Sequence, residues 1–163
     1  MDLKELEKRV KRLEDIEEIK QLHIRYVNSL TQCRWDDVLD CFSENGATDF
    51  PEFGVSRGKA AVAKVFKEGI ALEHIGEEAT YCIHPIISVE GDKAKGSWLL
   101  YIHGVLPHQP RQFPPELAAR VAETFGEGLP DWVQGYYEME YVRENGKWKI
   151  SLLKWSLRLK SPR

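Results

Sequence analysis

Five histidines (His23, His74, His84, His103 and His108) are the side chains in this sequence best suited to moving a proton near neutral pH. Two of them stand in strand-like surroundings. His84 falls between Ile83 and Pro85 within the apolar run ATYCIHPIISV, and His103 lies near the end of KAKGSWLLYIHGV. A neutral imidazole among apolar neighbours can serve as a general base; on an apolar strand it can equally be a satisfied core residue. Tyr26 sits on the inner stripe of a helical segment, where a phenol reaches a ligand oxygen, a side-chain partner or water. Arg158 shares a strand face with Lys154, Ser156, Trp148 and Ile150. A buried cation there needs a counter-charge such as Asp49 or an anionic substrate, whereas a solvated strand end needs none. The pair Asp36-Asp37 follows Trp35 at a helix start, where capping and the helix dipole explain it.

No standard signature accompanies these residues. Gly54-x-x-x-Gly58 lacks the Lys-Ser/Thr that completes a phosphate loop, and no Gly-x-Ser-x-Gly elbow occurs. The histidines show no cysteine or carboxylate spacing of a zinc site. The expectation is a protein with neither metal nor cofactor.

Bulk properties narrow the class further. A chain of 163 residues suits one domain with a core of useful size. Its 23 basic and 26 acidic residues give a net charge of −3, against a nucleic-acid binder. No apolar run is long enough to cross a bilayer, and the charged start MDLKELEKRVKRLEDIEE has no apolar segment of a secretory signal. Cys33, Cys41 and Cys82 have no framework spacing. They read as reduced thiols of a cytoplasmic protein.

The elements that must position these residues follow from periodicity. Residues 3–30 are helical, with Leu3, Leu6, Val10 and Leu13 forming a thin seam and Ile16, Ile19, Leu22, Tyr26 and Leu30 continuing it. Residues 1–14 form an arm, either a short coiled coil against a partner subunit or a solvated extension. From Ile16 the stripe widens with His23, Ile24 and Val27, as for a helix packed on a sheet. Trp35 to Phe42 reads as a second helix, broken by Ser43-Glu-Asn-Gly46. A short strand covers 47–50, Gly54 to Gly58 forms a turn, and Lys59 to Ile70 makes a third helix. Strands follow over 79–89, where Pro85 demands a bulge or a sheet edge, and over 93–105. Residues 106–131, proline-rich and then helical, form an insertion. The stretch from Trp132 to Lys160 is a long hairpin about Asn145-Gly146. Its second strand is apolar on both faces, so something must cover both. The sum is an α+β domain spanning 1–163.

Taken together, DIEEIKQLHIRYVNSLTQCRWDDVLDCFSENGATDF, the GKAAVAKVF helix, HPIISVEGDKAKGSW and YYEMEYVRENGKWKISLLKW resemble the SnoaL-like branch of the nuclear-transport-factor-2-like superfamily. The resemblance covers nearly all of the chain outside the arm and the insertion. It implies a cone: a curved antiparallel sheet with three N-terminal helices enclosing an apolar pocket, and an outer sheet face against another subunit in a dimer or trimer. The insertion at 106–131, outside the resemblance, is long enough to fold over the pocket mouth. Within the family the chain is most similar to small lyases such as the scytalone and bile-acid dehydratases. That likeness implies His84 as the base, His103 as a second active-site imidazole and Tyr26 and Arg158 as further site residues. Thr31, Asp49, Phe50, Trp98 and Tyr137 would line the substrate site. Two positions depart from the pattern: Thr31 stands where the family dyad has Asp, and Phe50 where scytalone dehydratase has Tyr.

Two functions follow. One is a cofactor-free lyase or isomerase acting on a small hydrophobic hydroxy or keto compound by His-assisted proton abstraction. The other is a non-catalytic small-molecule-binding or assembly subunit, such as the β-type subunit of a ring-hydroxylating dioxygenase; Thr31 and the N-terminal arm favour it.

Overall fold

A 29-residue helix, α1 (Leu3–Thr31), opens the chain in a computed structural model that describes residues 2–74, 76–104, 113–126 and 129–162. There follow α2 (Trp35–Asp40), β1 (Phe42–Phe50), β2 (Gly54–Arg57), α3 (Lys59–Lys64), a π-helical turn (Val65–Ile70) and α4 (Ala71–Glu73). Then come β3 (Ala79–Glu90), β4 (Lys93–His103), α5 (Pro115–Phe125), β5 (Trp132–Glu144) and β6 (Lys147–Lys160). The strands form one curved six-stranded sheet in the order β2-β1-β6-β5-β4-β3. All neighbours are antiparallel except β1 and β6. The architecture is the expected α+β arrangement, with the helices covering one face of the sheet.

The hairpin forms where Asn145 and Gly146 both take positive φ, 51° and 76°, the conformation that turns two twisted strands back on each other. One face of β5 is buried without a break: Val133, Gly135, Tyr137, Met139 and Tyr141. Across it on β6 stand Ile150, Leu153, Trp155 and Leu157. The spacing from Ile150 to Leu153 is odd, which in a regular strand would put them on opposite faces. Ser151 has no partner on β5, because Tyr141 pairs with Ile150 and Glu140 with Leu152. This one-residue bulge reverses the alternation and keeps both apolar sets on the same side. The two-sided apolarity read from β6 is therefore corrected: a bulge accounts for it without a second covering layer.

Other boundaries also differ from the sequence reading. Ser43 to Gly46, expected to break the second helix ahead of a strand at 47–50, does follow the end of α2 but lies inside β1, whose register against β6 shifts between Phe42 and Ala47. The expected turn at Gly54 to Gly58 contains β2, paired with β1 through Asp49 and Val55. The third helix runs on past Ile70 through the π turn into α4. At that turn Gly69 lies against the Phe53 ring so closely that any side chain would collide with it. As expected, Pro85 sits at a sheet edge and at a bulge, since β3 is the outermost strand and its register shifts between Ile83 and Ile86.

The start of α1 is exposed from Asp2 to Glu14. Burial begins at Asp15, whose carboxylate is held by Arg143 and Lys11 and accepts a hydrogen bond from Trp148 Nε1 at 3.2 Å. The Arg143 guanidinium also lies over the Trp148 ring, 4.6 Å from its centre. Burial alone would raise the pKa of Asp15; the bonds from Lys11 and Trp148 and the Arg143 and Lys11 charges together hold it below the usual range. Further along, Ile19, Leu22, His23, Tyr26 and Leu30 face the sheet. The insertion contributes α5, whose Val121 and Phe125 join the core; Phe125 packs 6.1 Å from Trp155. Residues 105–112 and 127–128 of the insertion lie outside the described residues.

Candidate functional site

Register defines which side chains the sheet turns toward the helices. One row is Val133, Ile102 and Thr80; the next is Leu157, Gly135, Leu100 and Cys82; the third is Trp155, Tyr137 and Trp98. On β3 the third row should continue with one residue opposite Trp98. Instead His84 and Pro85 together face that single position, His84 takes φ 53°, and both are exposed. The strand is bulged where the row would have closed.

An imidazole does lie on Trp98, but it comes from α1. His23 stacks on the Trp98 ring at 3.9 Å and 8° and meets the edge of Tyr137 at 6.1 Å. It is 1% exposed, and neither ring nitrogen has a hydrogen-bond partner. Burial pushes its pKa down to about 3, so the ring is neutral at any ordinary pH. Tyr26, one helical turn on, is fully buried with its hydroxyl unpartnered. It lies 6.2 Å from Tyr137. Burial first, and then the neighbouring Tyr137 hydroxyl, raise the Tyr26 phenol well above its ordinary value. Beyond them Trp98 Nε1 donates to Tyr141 Oη at 3.0 Å. Thr48 and Thr80 also carry buried, unpartnered hydroxyls, and burial pushes the Cys82 thiol up to about 12.

The interior holds one carboxyl close to this group. Glu52, in Phe50-Pro-Glu-Phe53, is 5% exposed, and among the described residues it forms no ion pair. Burial raises its pKa to about 7, partly offset by its own backbone N–H. Its charge reaches Tyr137. Glu52 also lines a groove of about 340 Å³ between the π turn and α5, together with Phe53, Val65, Leu117 and Arg120.

The structure brings together four of the residues expected at the site: Tyr26, Phe50, Trp98 and Tyr137. Phe50 contributes an apolar wall, 6.2 Å from Phe66, which in turn lies 6.2 Å from Tyr26. The other placements need correcting. His84 is turned outward by the β3 bulge. His103 is exposed on the opposite face of β4 from Trp98, its Nδ1 at 3.2 Å from the Tyr101 hydroxyl. Arg158 is the extra residue of a second β6 bulge, exposed and donating to Gln134 Oε1 at 3.1 Å. Asp49 is half-buried on the outward side, paired in register with Lys154. Thr31 donates its hydroxyl to Val27 O at 2.5 Å and so serves its own helix. His74 is buried beside Glu78, 3.8 Å away; His108 lies outside the described residues.

His23 and Glu52 were missed as site residues. A signal existed for each: His23 lies three residues before Tyr26 on the same stripe, and Glu52 is a lone carboxylate between two core aromatics. Among the described residues no cluster of His, Cys, Asp or Glu could hold a metal ion. No helix among them is long and apolar enough to cross a membrane.

A curved sheet covered by helices is an arrangement shared with known proteins. Residues 11–154 match the model of the SnoaL-like domain, and the chain belongs to that family, within the NTF2-like superfamily. A hexachlorocyclohexane dehydrochlorinase, LinA-type3 from Novosphingobium barchaimii LL02, superposes with a TM-score of 0.72 at 15% identity, over 94% of this chain and 93% of that one. An NTF2-like protein with a cystatin-like fold from Novosphingobium aromaticivorans gives 0.68 at 20% identity, over 96% and 90%. A provisionally named scytalone dehydratase from Novosphingobium aromaticivorans DSM 12444 gives 0.68 at 15% identity, over 91% and 87%. At these identities the likeness is one of fold. No curated protein matches the chain by sequence.

Proposed function

We propose that the protein is a cofactor-free lyase or isomerase acting on a small hydrophobic hydroxy or keto compound. The observation that carries this reading is the set of unpartnered polar groups in an apolar interior: both nitrogens of His23 and the Tyr26 hydroxyl. Leaving such groups buried without partners costs about 1–3 kcal/mol each, a cost that a bound oxygen would offset. Tyr26 and Tyr137 would donate to a carbonyl or hydroxyl oxygen. Neutral His23 would orient that oxygen, and its lowered pKa makes it a weak base. Membership in a family whose fold is shared with a dehydrochlorinase and a named dehydratase is consistent with elimination chemistry. The test is turnover of monocyclic and bicyclic β-hydroxy ketones, followed as loss of water by mass spectrometry. Tyr137→Phe should lower the rate about 10- to 100-fold, roughly the loss of one transition-state hydrogen bond, whereas His84→Ala and His103→Ala should match wild type.

A second reading has its own support. His23 lies flat on Trp98, so the interior is closed in part by its own rings, as suits a binding or assembly subunit. Copurification with a larger iron-containing subunit, together with no turnover of any hydroxy ketone, would favour it. On the enzyme reading the exposed Tyr81, Ile83 and Tyr136 of the outer sheet face favour self-association, and light scattering should report a dimer or trimer.

A further inference from the structure

The reading above leaves the proton-transfer group unassigned, because the interior imidazole is too weak a base and the other two strand histidines face outward. We infer that the groove between α5 and the π turn is the binding site of an uncharged ketone or hydroxy ketone of about bicyclic size, and that Glu52 in its lining moves the proton. This inference rests on the lyase or isomerase reading and deepens it.

Three observations carry it. Glu52 is shared between two environments, lining the groove while its charge acts on Tyr137. A substrate in the groove would therefore meet the Glu52 carboxylate, whose charge also bears on the buried Tyr137 phenol behind it. Behind the groove the packing is aromatic: Phe53 lies 6.4 Å from Phe50, Phe50 6.2 Å from Phe66, and Phe66 6.2 Å from Tyr26. A volume of about 340 Å³ falls at the lower end of ligand sites, which limits the ligand to one or two fused rings. Charge sets the class. Against Lys64 and Arg120 the groove presents Glu52, Glu68 and Glu116, so positive charge is not in excess. No Lys or Arg is buried among the described residues. An anionic ligand would have no counter-charge within.

The step balances on the carboxyl alone. Ionised Glu52 takes the proton from the carbon beside the carbonyl, and the C–H electron pair becomes the C=C bond. The β C–O bond breaks with its pair on oxygen, Glu52 returns the proton to that oxygen, and water leaves. Without a β leaving group the same proton transfer exchanges the α-hydrogen with solvent.

The experiment uses 2-decalone in D₂O with the full chain, its fold checked by circular dichroism. Binding is measured by calorimetry and α-exchange by mass spectrometry. Wild type should bind and exchange faster than buffer, with a rate that rises through about pH 7 as Glu52 ionises. The groups facing Glu52 are Tyr137, Lys64, Glu68, Glu116 and Arg120, and the inflection should move when Glu52 is changed to Asp. Glu52→Gln should bind with unchanged affinity and lose ~100-fold or more in exchange. Leu117→Trp, in the same lining, should lose binding and exchange together. If Glu52→Gln exchanges like wild type while Tyr137→Phe is impaired, the assignment of Glu52 falls and the lyase reading stands. If Leu117→Trp binds like wild type, the groove is the wrong site. Wild type that binds without exchange overturns the inference in favour of the binding-subunit reading, and wild type that does neither overturns both.

Discussion

The one-residue bulges at Ser151 of β6 and at His84-Pro85 of β3 have opposite results. In β6, a strand between two neighbours, the extra Ser151 resets the alternation so that Ile150, Leu153 and Trp155 all point inward. In β3, at the edge, the extra residue ejects His84 and Pro85 into solvent, and burial resumes only in part with Ile87 and Val89. The same backbone device thus serves closure of the core in one strand and an opening in its wall in the other. What differs is the neighbourhood: β6 is flanked by β1 and β5, so its inward positions must be filled, whereas β3 has β4 on one side alone. The vacancy beside Trp98 is filled from the helix layer by His23.

The comparison is broken most severely by deletion. Removing Ser151 would swing residues 152–160 to the wrong face, and thermal melts should show no cooperative transition. Removing Pro85 should leave a cooperative melt, because few buried groups depend on it. Point changes sharpen the same contrast: Leu153→Ala should cost about 2–5 kcal/mol in denaturant unfolding, whereas Ile86→Ala, at a site 75% exposed, should stay within about 0.5 kcal/mol.

Acid titration examines the borrowed imidazole. The folded pKa of His23, about 3, lies below the ordinary 6.5, so the unfolded chain binds its proton first. Stability is full above about pH 6.5 and falls as pH drops toward 3, by roughly 4–5 kcal/mol. His23→Phe should flatten that acid limb. Glu52 acts with the other sign. Its folded pKa, about 7, lies above the ordinary 4.5, so its contribution is full below about pH 4.5 and declines as pH rises to 7. Glu52→Gln should therefore be more stable than wild type above that pH by about 2 kcal/mol. The smallest effect belongs to His84→Ala, expected within about 0.5 kcal/mol at all pH values.

The bulges also mark where the amino-acid pattern is readable. Periodicity alone located the hairpin, the inward face of β5, the stripe of α1 and the row Ala94, Trp98, Leu100 and Ile102, because each repeats without interruption. Pro85 announced its own bulge through its missing N–H. Ser151 announced nothing: a serine between Ile and Leu carries no local sign that the face changes there, so β6 looked apolar on both sides. The same limit separated the site residues. Tyr26, Trp98 and Tyr137 lie on uninterrupted elements and meet in the core with Phe50, whereas His84 and Arg158 occupy bulges that reverse their direction. His23 was visible on the helical stripe, but its role depends on a contact with Trp98 across 75 positions of chain, which no local pattern encodes.

The anchor formed by Asp15, Arg143 and Trp148 has one more consequence. It fastens the long first helix to the hairpin at a single latitude, and everything before it projects with both flanks wet. Brief digestion with trypsin should clip the lysines and arginines of that spur, at Lys4, Lys8, Arg9 and Arg12, while the remainder keeps its melting temperature. Substituting Arg143 by Met should let the nicks creep past Asp15 into the body of the molecule.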